Sequence, residues 1–254
     1  MTLSDQQLDR YARHIVLRDI GGVGQSKLLS SHVLLIGAGG IGCPAIQSLA
    51  GAGVGTISVV DDDVVSLSNL QRQILYSEND IGTAKVDAAG AAVARLNPDV
   101  TFYGIKQRID RSTSADILTG VDVVIDGCDN FATRLIVNDL CLAAKVPLVS
   151  AAIGQFHGQI GTFTGWADDA PCYRCFVGDA HDPDDCDDCA TQGVLGAMCG
   201  LMGSFAAMEA IRALTGFGEA QKGKLVLFDG MAPAMRSIQL PKDPACRSCG
   251  VLAA

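Results

Sequence analysis

The chain has 254 residues, 48% hydrophobic, with 29 glycines and few aromatics, a composition that suits a buried parallel sheet with glycine-rich loops. That length predicts one large α/β domain with a small appended module. A net charge of -9 and a pI near 4.7 leave no concentrated basic face, which argues against nucleic acid as the main partner.

In chain order, Leu8, Tyr11, Ile15 and Val16 recur at helical spacing, which predicts one amphipathic helix over 5–18, with "GGVG" ending that region. The opening is charged and lacks a signal-type apolar segment, so a cytoplasmic protein with no membrane partner is expected. An apolar run from His32, a glycine turn, a helix and a second apolar run ending in Asp61 then read as one βαβ unit. Further on, a helix from Gly82, a strand at "TFYGIK", a strand at "VDVVIDG", a helix from Asn130 and a strand at "VPLVSAA" continue the alternation. This predicts a Rossmann-like, mostly parallel sheet with helices on both faces. After residue 153, "HGQIGTFT" and "GKLVLFDG" read as antiparallel additions, separated by a cysteine loop and a long helix after Gly193. Glu209 and Arg212 interrupt that helix's apolar run, which marks it as buried in the fold. The expected segments are 1–30, helical; 31–153, the nucleotide-binding core; and 154–254, an extension, all within one compact domain.

"GAGGIG", Gly37 to Gly42, directly follows a strand and opens a helix. Glycines there, Gly39 and Gly40 among them, let the backbone approach an oligophosphate, and the helix N-terminus offers free N–H groups and partial positive charge. Asp61, at the end of the second strand, is placed to accept from ribose hydroxyls. Alone, these features fit NAD, FAD or ATP, and a nicotinamide-dependent oxidoreductase is one reading. Asn69, Arg72, Gln73 and Lys85 lie just beyond. Two cations beside the phosphates suit an enzyme that must neutralise charge while breaking the α–β phosphate bond, although both could be solvated surface residues. Asp129, after the fourth strand, sits where open α/β sheets bind ligands and could hold magnesium or cap the helix near Phe131, with Asn130 sharing the cap.

Ten cysteines in a reducing compartment favour metal or thiol chemistry over disulfides. Cys43, Cys128, Cys141 and Cys199 read as small buried hydrophobes. Cys172/Cys175, Cys186/Cys189 and Cys246/Cys249 form three CxxC pairs, and one tetrahedral zinc uses only two. Local spacing ranks the first two pairs together.

"RYARHIVL", "GAGGIGCP", "DDDVVSLSNLQRQ", "GTAKVD", "DNFATR", "VPLVSAAI", "PCYRC" and "CRSCG" run in order from about residue 4 to 250. Together they resemble the MoeB/ThiF family of ubiquitin-activating-enzyme-like adenylyltransferases, with the molybdopterin-synthase type as the expected nearest branch. The resemblance implies Mg-ATP-dependent adenylation of the C-terminal Gly-Gly carboxylate of a small ubiquitin-fold sulfur carrier. The expected carrier is MoaD-like; a ThiS-like carrier is the alternative, and sulfur is expected from a separate donor. It implies that Asp61 holds the ribose and Asn69, Arg72 and Lys85 the phosphates, with Asp129 on magnesium and Arg13 reaching the opposite subunit's ATP site in a homodimer. Gln73 and Arg134 match motif positions too; Arg134 reads equally as a partner for a nearby carboxylate or a cap. The resemblance also pairs Cys172 and Cys175 with Cys246 and Cys249 as a structural zinc site, against the local spacing. Cys189 then aligns with a crossover-loop cysteine that forms a covalent intermediate in some relatives. A following helix N-terminus favours its thiolate, and the surrounding aspartates oppose it.

Overall fold

The computed structural model describes residues 3–178 and 193–250. Eight strands form one sheet in the order β3-β2-β1-β4-β5-β6-β7-β8. The strands are β1 (His32–Ile36), β2 (Thr56–Val60), β3 (Thr101–Ile105), β4 (Val123–Asp126), β5 (Leu148–Gly154), β6 (His157–Phe163), β7 (Lys224–Asp229) and β8 (Ala234–Gln239). β1 to β5 pair in parallel, and β6 to β8 add antiparallel. The chain therefore reverses direction of growth between β1 and β4, and a crevice opens at the C-terminal ends of those strands.

The period-two geometry of β1 sorts its apolar run into two cores. Val33 and Leu35 join the helices α4 (Gly42–Ala52), α5 (Lys85–Leu96) and α8 (Gly196–Thr215) on one face. Leu34 and Ile36 join α6 (Phe131–Ala144) and α7 (Tyr173–Val177) on the other. The apolar run of α8 is a core element: Met202, Ala206, Ala207 and Ala210 are buried in the first cluster. Its Glu209, also buried, pairs with Arg212 at 3.2 Å.

Three expectations are corrected. The first helix is broken into α1 (Asp5–Arg10) and α2 (Ala12–Ile15), because Tyr11 turns inward, where its hydroxyl accepts from the Asn97 amide at 2.8 Å. "GGVG" does not end the helical region: Gly21 begins α3 (Gly21–Ser30). Strand β8 was not expected, and every one of its residues is exposed.

Candidate nucleotide site

The C-terminal ends of β1, β2, β3 and β4 surround a cavity of about 440 Å³. Gly37, Gly39, Gly40, Asp61, Asn69, Arg72, Gln73, Lys85, Asp129 and Asn130, all singled out in sequence, line it together. Gly42 does not line it and supports the turn from beneath: a Cβ there would collide with the Gly37 carbonyl oxygen. Gly37 itself has φ +93°, which excludes most L side chains. Arg13 is exposed on α2 and outside this cavity, and Cys186 and Cys189 lie outside the described residues.

The polar groups are held before any ligand arrives. Asp61 Oδ2 accepts from the Ala38 N–H at 2.7 Å and Oδ1 from the Asp63 N–H at 2.9 Å, so its carboxylate is aimed while each oxygen keeps further acceptor capacity. Lys85 is buried at the start of α5, with Nζ 2.7 Å from the exposed carboxylate of Asp63. Arg72 donates from Nη1 to the Ser68 carbonyl at 3.1 Å, which orients the guanidinium without neutralising it. The Asn69 side-chain oxygen accepts from the Ser66 N–H and closes the turn that carries Arg72 and Gln73. Gln73 is 3% exposed, and its Oε1 has no partner among the described residues, a costly arrangement for a residue with no polar task.

Asp129 and Asn130 divide the work that sequence had left shared. Asn130 alone caps α6, its Oδ1 accepting from Thr133 N–H at 2.8 Å. The exposed Asp129 carboxylate has no hydrogen-bond or ion-pair partner among the described residues, so it is available to a cation. Arg134 resolves toward a brace: it donates to Asp126 Oδ2 at 3.2 Å, Ser150 Oγ at 3.0 Å, the Ala151 carbonyl at 2.9 Å and the Cys128 carbonyl. These bonds tie β4, β5 and the Asp129 loop together. Burial opposes the Arg134 charge, but Asp126, Cys128 and Tyr173 together outweigh it and raise the arginine's already high pKa.

Sequence reasoning missed Gln107, Arg108, Thr133, Cys128 and Cys199 as cavity residues. Arg108 was findable, since it follows β3 at the edge where such sheets bind ligands. Cys128 was read as a buried hydrophobe, yet it is half-buried on the cavity wall, its Sγ donating to Asp126 Oδ1 at 2.8 Å. Burial and the facing Asp126 carboxylate hold that thiol well above its ordinary pKa.

On the far side of α6, the Cys172, Cys175, Cys246 and Cys249 sulfurs converge, with separations of 3.8 Å (Cys172–Cys175), 3.6 Å (Cys172–Cys246) and 3.4 Å (Cys175–Cys249). Thiolates at about 2.3 Å from a tetrahedral ion lie about 3.8 Å apart, so the set fits one. Burial raises the pKa of the Cys172 thiol, and that of Cys249 to about 11, whereas backbone N–H groups face Cys175 and Cys246. Burial opposes ionisation of Cys246, but the N–H groups of Cys249 and Ser248, with the Cys172 and Cys175 side chains, together leave its pKa lowered, and the Asp243 N–H points at Cys175 Sγ at 3.5 Å.

A glycine turn on a parallel sheet, an aimed acid at the end of β2 and oriented cations beside it define a nucleotide-binding α/β protein. The chain belongs to the ThiF family, whose profile matches residues 11–248, and it is an adenylyltransferase. It is 46% identical over 250 residues to the SAMP-activating enzyme E1 of Haloferax volcanii, covering 98% of this chain and 92% of that protein. It is 43% identical over 248 residues to the molybdopterin-synthase adenylyltransferase of Escherichia coli, covering 98% of each. It is also 43% identical over 249 residues to the sulfur carrier protein ThiS adenylyltransferase of Escherichia coli, covering 98% of this chain and 97% of that protein. These nearly equal identities to differently named relatives define the family, not a branch within it. The oxidoreductase reading gives way to this membership.

Proposed function

We propose that the chain uses Mg-ATP to adenylate the C-terminal carboxylate of a small ubiquitin-fold sulfur carrier ending in Gly-Gly, and that the carrier is MoaD-like. The observation that carries this reading is the meeting, in one cavity, of the glycine turn, the oriented Arg72 and Lys85 and Asp129, which has no partner among the described residues. A carrier carboxylate oxygen attacks the α-phosphorus, and the bond to the bridging oxygen breaks with its electron pair leaving on pyrophosphate. The carboxylate is already ionised at neutral pH, so no proton must be removed, and no histidine lines the cavity among the described residues. The rate must come from positioning and charge neutralisation.

In this reading Gly39 and Gly40 present backbone to the phosphates, Asp61 holds the ribose, and Asn69, Arg72, Gln73 and Lys85 hold the phosphate oxygens. Asp129 would hold magnesium, which supplies charge neutralisation on the phosphates. Arg13, exposed on α2, completes the site of a second copy, making the active form a homodimer. The four thiolates hold a structural zinc, and a separate protein donates sulfur after adenylation, in the cytoplasm. A ThiS-like carrier is the second reading, supported by the equal identity to the ThiS adenylyltransferase.

The test is exchange of labelled pyrophosphate into ATP in the presence of purified carriers. Exchange that depends on a MoaD-like carrier is expected. Exchange with only a ThiS-like carrier transfers the reading to that branch, and no exchange with any Gly-Gly-ended carrier sinks it.

A further inference from the structure

Ala38, the first non-glycine residue of the glycine turn, contributes no side-chain chemistry, yet its peptide groups meet three side chains. Its N–H donates to Asp61 Oδ2 at 2.7 Å. Its carbonyl oxygen accepts from the Tyr76 hydroxyl at 2.9 Å and from the Cys43 thiol at 3.3 Å. Tyr76 is 7% exposed, and Cys43 is fully buried on α4. The Tyr76 backbone N–H in turn bonds to the Gln73 carbonyl at 3.1 Å, one turn beyond the segment bearing Asn69, Arg72 and Gln73.

We propose that Tyr76 is a positioning residue for ATP: its hydroxyl locks the glycine turn to the Asn69–Gln73 segment, so that the two phosphate-binding elements present their donors as one rigid body. The inference rests on the ATP reading of the cavity. A core tyrosine could discharge its hydroxyl on any nearby carbonyl. This one is spent on the carbonyl of the residue whose N–H is bound by the ribose-holding acid, with Cys43 as a second donor to the same oxygen. A turn fixed from three sides pays less ordering entropy when the oligophosphate arrives. Burial raises the pKa of both groups, that of Cys43 to about 12, so both keep their protons and remain donors at neutral pH.

The test is Tyr76→Phe in the full chain, which removes one oxygen and keeps the ring in the core. ATP affinity is measured by calorimetry, KM for ATP and for carrier by pyrophosphate exchange, and the melting temperature by circular dichroism. The expected result is an ATP Kd and KM raised about tenfold, corresponding to about 1.4 kcal/mol, with the carrier KM within twofold of the parent. Cys43→Ser, which keeps a donor, is expected to hold ATP affinity within threefold. An ATP Kd within twofold of the parent in Tyr76→Phe overturns the proposal, whether or not the melting temperature falls. So does an equal rise in carrier KM. Because the Kd is read without carrier, a failure of the carrier reading leaves this test intact, whereas a parent chain that does not bind ATP defeats both.

Discussion

The nucleotide cavity and the four-thiol cluster are built by opposite means. In the cavity, the charged groups that hold its shape are already matched by protein: Lys85 by Asp63, Arg134 by Asp126 and three further acceptors, and Asp61 by two backbone N–H groups. It needs no ligand to hold its shape. In the cluster, four sulfurs crowd within 4.8 Å of one another and the surrounding backbone offers N–H groups suited to thiolates. Unscreened thiolates at that spacing would repel, so in the proposed zinc reading this region draws its cohesion from a cation. One site is preorganised to act on what it binds; the other, in the zinc reading, is made by what it binds.

That contrast can be broken first at Asp129. Asp129→Ala is expected to lower carrier-dependent exchange by at least about 100-fold while leaving the melting temperature unchanged, because the carboxylate is exposed and Asn130 alone caps α6. A melting point that falls with activity would place Asp129 among the structural groups. Next is the metal: Cys246→Ser, or treatment with a strong chelator, should release one zinc per chain, read by a colorimetric dye, and cost on the order of 3 kcal/mol or more in urea denaturation. ATP binding by the remaining folded fraction should persist, since no cavity residue belongs to the cluster.

Arg134→Met sharpens the comparison from within the cavity. It strands the fully buried Asp126 carboxylate, so a loss of roughly 3–5 kcal/mol is expected in the same denaturation assay. The smallest effect is that of Asn130→Ala, which removes only a helix cap and should cost about 1 kcal/mol in denaturation, with exchange reduced less than tenfold.

The sequence displayed the βαβ grammar because strands buried on both faces read as apolar runs, and β1, β2, β4 and β5 are such strands. Strand β8 escaped because its residues face solvent throughout and carry no alternation. The break at Tyr11 escaped for another reason: helical spacing shows which residues are apolar, not that one of them must leave the helix to reach Asn97 across the fold. Of the site, the glycine turn and the cations beside it were legible as motifs. The role of Arg134 was not, because a brace and a ligand contact differ only in what surrounds the guanidinium. The cysteine pairing was legible through family resemblance alone, since local spacing favoured a different partner for Cys172 and Cys175.

Cys172 and Cys246 lie 74 positions apart, and the cavity residues from Gly37 to Arg134 all precede the first of them. A chain emerging from the ribosome therefore displays most of its nucleotide site while the last cysteine pair is still unsynthesised, and domains can begin to fold in that interval. The cluster is the final seal of synthesis: a nascent chain halted short of Cys246 carries the motifs of the site but not the clasp that fastens its tail to α6 and α7.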